Sequence, residues 1–291
     1  MIDTASCARL PQRLCNKRQC HRRLTWKQSS CRYWILGHEY KIGVTEIFAN
    51  MFGRLLNLFK PNHAEAESQV PLPQAPFEYI ATHGAQAAET MEKARETEGA
   101  FPVLLGDRSA FVQTLDLMST DGISFESTLA AGLSLDPELW MKDQVDSDPE
   151  HFDFRNTKLG RAYKVLPLTA ARNGGFGDGF KKEVFIGLLP VSHGWQVPAL
   201  LGLGGWNACP EAHVHVAFFR RWQERYGAEV TSVAYDVVEF KVSRPPSTAE
   251  EALALAREHY IYCTDFDLGA SGIGGLAAHL LNSPSWYFWW D

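Results

Sequence analysis

The side chains best able to do chemistry in this 291-residue chain are its six cysteines and ten histidines. Cys209 stands directly before Pro210, where the pattern predicts a helix running to Tyr226. Unpaired backbone N–H groups and the positive end of the helix dipole at such a boundary stabilise a thiolate and lower its pKa. With a histidine in reach, that thiol is a nucleophile or a redox sensor; otherwise a lone buried cysteine is an inert small hydrophobe. His259 and Cys263, at i and i+4 on a second predicted helix, share a face. Cys209, His259 and Cys263 are therefore the candidate catalytic residues.

The same residues suggest a metal. With one of His213 or His215 they make a Cys2His2 set. His213 and His215 lie about 200° apart on a helix, so only one can face a shared ion. The competing reading, core histidines hydrogen-bonded to backbone, leaves no metal and no cofactor expected. Cys7, Cys15, Cys20 and Cys31 cluster near the start. A zinc site there would use Cys15, Cys20, His21 and Cys31, but the paired Cys-x2-Cys spacing is missing.

Two further groups are weaker. Asp236 and Glu239 form an acid/base pair only if the chain turns between them, because i and i+3 on a strand face opposite ways; exposed edge charges are the plainer expectation. The glycines at 174–179 precede a strand rather than a helix, so they lack a dinucleotide-binding context. Those at 269–275 open a helix, which could hold an anion, but no P-loop lysine follows.

These residues must be positioned by the elements around them. The tail, Trp286-Tyr287-Phe288-Trp289-Trp290-Asp291, carries five aromatics in six residues. Each buries about 150–250 Å² when packed, so a core strand is expected. Alternation puts Trp286, Phe288 and Trp290 on one face and Tyr287 and Trp289 on the other, and one face is a candidate stacking platform. Trp206, Asn207, Trp286 and Trp290 are the candidate ligand-binding residues.

Upstream, helices are expected at 85–98, after Asp107, at 127–132 and from Asp136, and strands at 101–106 and 162–168. Apolar runs at 184–189 and 197–203 read as a buried hairpin. The helix to Tyr226 turns His215, Phe218, Phe219, Trp222 and Tyr226 inward. Strands follow at 230–235 and 238–242. Thr248-x-x-Glu251 is a capping box for a helix to Cys263, with Ala249, Ala252, Leu253, Ala256, Tyr260 and Cys263 as its inner face. Gly274 and Gly275 start a last short helix. The expected fold is α+β: a mixed, largely antiparallel sheet flanked by helices, with a disordered N-terminal extension.

Residues 1–50 hold nine basic and three acidic groups, which leaves 19 of the 28 basic and 31 of the 34 acidic groups for residues 51–291. That acidic body repels phosphate backbones and anionic lipid, so neither nucleic acid nor a membrane surface is an expected partner. No apolar run approaches the roughly eighteen residues of a membrane span. Residues 1–50 read as translated upstream sequence with a natural start at Met51, residues 51–76 as a short helix and linker, 77–180 as an accessory α/β region, and 181–291 as a C-terminal domain.

Five motifs in that last segment resemble a known family. They are Trp206-Asn207-Ala208-Cys209-Pro210, Trp222-x3-Tyr226-Gly227-Ala228-Glu229-Val230, Arg244-Pro245-Pro246, Glu258-His259-Tyr260-x2-Cys263-x-Asp265 and Trp286-x-Phe288-Trp289-Trp290-Asp291. In this order they are similar to a bacterial C-terminal family, domain of unknown function 4253, over about residues 181–291. The resemblance implies a bacterial protein and carries over no catalytic residue. Thr264 departs from it, standing where proline is expected. The leading functional expectation is a cytoplasmic, non-enzymatic module that binds another protein, as an immunity or regulatory partner. The alternative is a thiol- or metal-dependent enzyme built on Cys209, His259 and Cys263.

Overall fold

A computed structural model describes residues 33–35, 38–40 and 72–291, except 97–98, 119–123, 153, 155–157, 163–165, 175–178, 267 and 269–270. The chain divides into two units, Met1–Lys60 and Pro61–Asp291. In the first, β1 (Tyr33–Ile35) and β2 (His38–Tyr40) pair antiparallel. The four N-terminal cysteines, His21, the Met51 start and the 51–60 helix lie outside the described residues, as does the rest of the expected extension.

The second unit is built on a six-stranded sheet in the order β3 (Glu78–Thr82), β5 (Val184–Leu189), β4 (Phe101–Leu104), β6 (Ala228–Ala234), β7 (Val237–Val242) and β8 (Ser285–Trp289). Every pair is antiparallel except β4–β6. This is the expected mixed, largely antiparallel α+β sheet. The central strand β4 comes from residues far upstream of its neighbours, so residues before and after 181 build one sheet.

Alternation along the strands gives the sheet two unlike faces. Val238, Phe240, Val242, Trp286 and Phe288 point into the main core with Phe185, Leu189 and Val230. Packed there are α2 (Arg108–Met118), α5 (Val197–Leu201), α6 (Ala212–Tyr226), α7 (Ala249–Tyr262) and α8 (Gly272–Leu280). Helices α3 (Phe125–Ser134) and α4 (Pro137–Ser147) pack outside α6 and α7. On the second face, Leu104, Val184 and Ile186 meet Ala87 and Met91 of α1 (Ala87–Ala94), together with Ala170 and Ala171.

Helix α6 shows how the sequence dictates this arrangement. His215, Phe218, Phe219 and Trp222 recur at helical spacing and are all buried. Gly227 ends the helix at φ 58°, and a Cβ there would stand 2.0 Å from Ser243 Oγ. Trp222 satisfies its indole by donating to Glu258 Oε1 at 2.6 Å, and Arg221 reaches the same carboxylate at 3.2 Å. That buried knot ties α6 to α7.

Several expectations change. Within the expected strand 197–203, Val197–Leu201 form α5 instead, because Pro198 suits a first helical turn and would cost a sheet a ladder donor. No strand is seen at the described ends of 162–168; Leu168 instead adopts φ 54° ahead of a tight turn at 169–171. Strand β3 has no counterpart among the expected elements, because its sequence alternates only shallowly. The capping box at Thr248 forms, but α7 buries Ala252, Leu255, Ala256, Glu258, His259 and Tyr262. The buried stripe is thus rotated from the expected one, because the polar Glu258 and His259 turn inward to meet α6 and β8 and carry Tyr262 with them. At α8, Gly160 N donates to Gly274 O at 2.8 Å, and a Cβ on Gly160 would stand 2.9 Å from Gly275 N. Close backbone approach therefore accounts for Gly160, whereas a Cβ on Gly275 would meet the Ser271 side chain at 2.7 Å. No helix among the described residues is long and apolar enough to cross a membrane.

Candidate functional site

Cys209 lies in a tight loop before α6, not on the helix. Gly204 and Gly205 take φ 94° and 86°, and Asn207 takes φ 46°. Gly205 N donates to the Pro210 carbonyl at 3.0 Å, and Cys209 N to that of Trp206 at 2.8 Å. Side chains are excluded at position 204: a Cβ would stand 1.8 Å from Pro210 O and 2.6 Å from His215 Nε2. The loop sets Cys209 Sγ 3.5 Å from His215 Nε2, while His215 Nδ1 meets the Tyr262 hydroxyl of α7. Trp290 closes over the imidazole at 5.4 Å.

This cluster has the residue types of a nucleophile and base, but not the electrostatics. The helix begins at Ala212 with Glu211 as its N-cap, so the dipole does not act directly on Cys209. Burial, then the nearby Cys263 and Asp265, pushes the Cys209 thiol up rather than down. Burial likewise lowers His215 to about 3 and raises Tyr262 well above the usual phenol range. A neutral thiol, a neutral imidazole and a phenol satisfy one another inside the core. Such a network specifies packing.

His259 is the expected partner that this cluster does not recruit. It sits among Trp222, Trp286 and Phe288 at 4.7–5.0 Å between ring centroids, and its Nε2 has no hydrogen-bond partner. Cys263 donates to the Trp289 carbonyl at 3.3 Å, and burial raises its thiol to about 12. His213 turns away from His215 toward Glu211, 3.4 Å distant. Among the described residues, no three His, Cys, Asp or Glu side chains are grouped to hold a metal ion.

The candidate ligand-binding residues also separate. Trp286 and Trp290 are each 1% exposed and belong to the core. Trp206 stacks on Tyr235 at 5.2 Å, and Asn207 donates to the Asp291 carbonyl. The exposed aromatic of the tail is Trp289, 38% accessible, whose indole donates to Asp236 Oδ2 at 2.9 Å. The inward face of β8 is thus Trp286, Phe288 and Trp290, and the outward face is Tyr287 and Trp289.

That outward face leads to a site the sequence did not reveal. Ser232, Glu239 and Tyr287 are cross-strand neighbours on β6, β7 and β8. Glu239 was expected as an exposed edge charge and is instead 3% exposed. Strand β8 pairs outside β7, and the turn at 169–171 reaches in, so that Thr169 N donates to Glu239 Oε1 at 2.9 Å. Its other oxygen, Oε2, has no hydrogen-bond partner. Burial raises the carboxyl to about 7, against the hydrogen bond from the Thr169 backbone, which opposes the rise. Asp236 does lie in the β6–β7 turn, but it serves Trp289, so the two carboxylates do not act as a pair.

Glu239 lines a cavity of about 580 Å³ between α1, the 167–168 segment and the strands β6 to β8. Met91, Pro167, Leu168 and Pro284 give it apolar walls. The cations nearby are engaged: Arg95 with Glu229 at 2.6 Å and Lys241 with Glu92 at 3.3 Å. A second cavity of about 700 Å³ opens beside Trp206 and His213, bounded by α2 and α3.

Residues 185–291 match the family model described as Domain of unknown function (DUF4253). The match runs from β5 through β8 and takes in Cys209, His215, Glu239, Tyr262 and Trp289. Strands β3 and β4 lie outside it, although β4 separates β5 from β6 in the sheet. No curated protein and no solved structure matches the chain.

Proposed function

We propose that this protein is a non-enzymatic binding module of a bacterial cytoplasm that recognises another protein, in an immunity or regulatory role. One observation carries the reading. The side chains capable of reaction are buried and neutral on the first face of the sheet, whereas the second face presents Trp289 at 38% exposure, fixed by Asp236. A tryptophan held on a strand offers a large contact area at small entropic cost, the kind of residue that anchors interfaces. The excess of 31 acidic over 19 basic groups in residues 51–291 favours a basic partner.

Co-purification from the bacterial host followed by mass spectrometry tests this. A stoichiometric protein partner is expected; none across growth conditions would overturn the reading. A thiol enzyme is the alternative, favoured by the 3.5 Å approach of Cys209 to His215. It requires a state in which Trp290 leaves the imidazole and the thiol becomes accessible.

A further inference from the structure

We propose that the cavity beside Glu239 binds a protonated amine carried on a hydrocarbon stem, with Glu239 as its counter-ion. The inference deepens the reading above, since it uses the same sheet face, but it does not require the partner to be a protein. The amine can come from a lysine side chain of a partner or from a free alkylamine.

Three observations converge. First, the Glu239 side chain is almost wholly buried, yet Oε2 has no hydrogen-bond partner and no cation among the described residues pairs with the carboxyl. A buried charged oxygen without a partner is costly, and an N⁺–H donor removes that cost with a charge-assisted bond. Second, about 580 Å³ falls in the ordinary range for a small-ligand site, roughly 300–1,000 Å³. Its walls of Met91, Pro167, Leu168 and Pro284 suit a chain of methylenes. Third, Arg95 and Lys241, which could have neutralised Glu239, are held by Glu229 and Glu92. The site therefore has a carboxyl without a counter-ion in an apolar hollow.

Binding should depend on pH. A carboxyl near 7 is ionised in a small minority of molecules at pH 6 and in most at pH 8, while an alkylamine stays protonated throughout. Affinity should rise about tenfold over that interval. The other charged or titratable groups around the carboxyl are Tyr287, Asp236 and Lys241 on the neighbouring strands and turn, Glu92 and Arg95 on α1, and His279 on α8. Protonation of His279 would act in the same direction, so the pH profile of Glu239→Gln separates the two.

The experiment is calorimetric titration of the full chain at pH 6 and pH 8 with hexylammonium, hexanol, hexanoate and an acetylated lysine amide. Glu239→Gln serves as the near-isosteric variant, and Ala88→Trp closes the cavity from an exposed position on α1. Hexylammonium or the lysine amide should bind the wild type at least tenfold more tightly than hexanol or hexanoate. Glu239→Gln should lose that preference and its pH dependence, and Ala88→Trp should lose binding, both with circular dichroism unchanged. Tighter binding of the lysine amide identifies a partner's lysine as the source; tighter binding of hexylammonium identifies a free amine. No binding of either amine, equal binding of hexanol, or full retention in Glu239→Gln overturns the inference. If Glu239→Gln and the wild type capture the same protein partner while neither binds an amine, the amine site fails and the protein-binding reading stands. Amine binding with no protein partner has the opposite meaning.

Discussion

His215 Nε2 lies 3.5 Å from Cys209 Sγ, with the other imidazole nitrogen on Tyr262 and Trp290 packed edge-to-face against the ring. A histidine in contact with a cysteine usually signals a thiolate. Here burial drives both groups neutral, with the thiol pushed up and the imidazole down to about 3. Cys209 should therefore resist iodoacetamide in the native protein at pH 7 and react only after unfolding. Peptide mass spectrometry of the labelled chain reads this directly. Rapid native labelling at Cys209 would favour the thiol enzyme.

Tyr262 should matter for stability. Removing its hydroxyl leaves a buried imidazole nitrogen unsatisfied, so Tyr262→Phe should cost about 1–3 kcal/mol in denaturant unfolding. A neutral result would mean that water or a rotated ring replaces the bond.

Glu239 links stability to pH. Its carboxyl titrates near 7 in the folded protein against an ordinary value of 4.5. Between those pH values the native state binds the proton and the unfolded chain does not, so stability is full below about 4.5 and is lost as pH rises through about 7. The expected fall is on the order of 3 kcal/mol. Chemical denaturation from pH 5 to pH 8 should show it for the wild type, with Glu239→Gln lacking this component. A wild-type-minus-variant difference that does not change with pH would contradict the buried carboxyl.

The tail should divide by face. Trp286→Ala, Phe288→Ala and Trp290→Ala each remove a core aromatic and should cost about 3–5 kcal/mol. Trp289→Ala removes a partly exposed ring and should cost about 1 kcal/mol or less. Equilibrium unfolding of the single variants checks the alternation. A large loss at Trp289 would mean that it is packed.

Much of this architecture is legible in the sequence because local and long-range signals agree. The α6 stripe, the Thr248–Glu251 capping box, the Asp136 cap before Pro137 and the aromatic strand all follow from periodicity and end chemistry. Periodicity fails where a short apolar run suits either state: in α5, only Pro198 and the left-handed Gly202 point to a helix. It fails again in α7, where buried Glu258 and His259 are polar, the one bonded to Trp222 and Arg221 of α6 and the other packed among Trp222, Trp286 and Phe288. Glu239 could not be placed from its own neighbourhood. Its alternation with Val238 and Phe240 marks the second face, but what buries it is Thr169, seventy residues earlier. The Cys209–His215 contact depends on a loop whose geometry only Gly204 and Gly205 hint at.

The most direct test of the two-faced account is a quantitative comparison of partner capture by Cys209→Ser and Trp289→Ala against the wild type, all confirmed folded. If recognition belongs to the second face and Cys209 is structural, Cys209→Ser should capture the partner as well as the wild type, and Trp289→Ala should fall at least tenfold. Loss of capture in Cys209→Ser with full retention in Trp289→Ala would contradict the account.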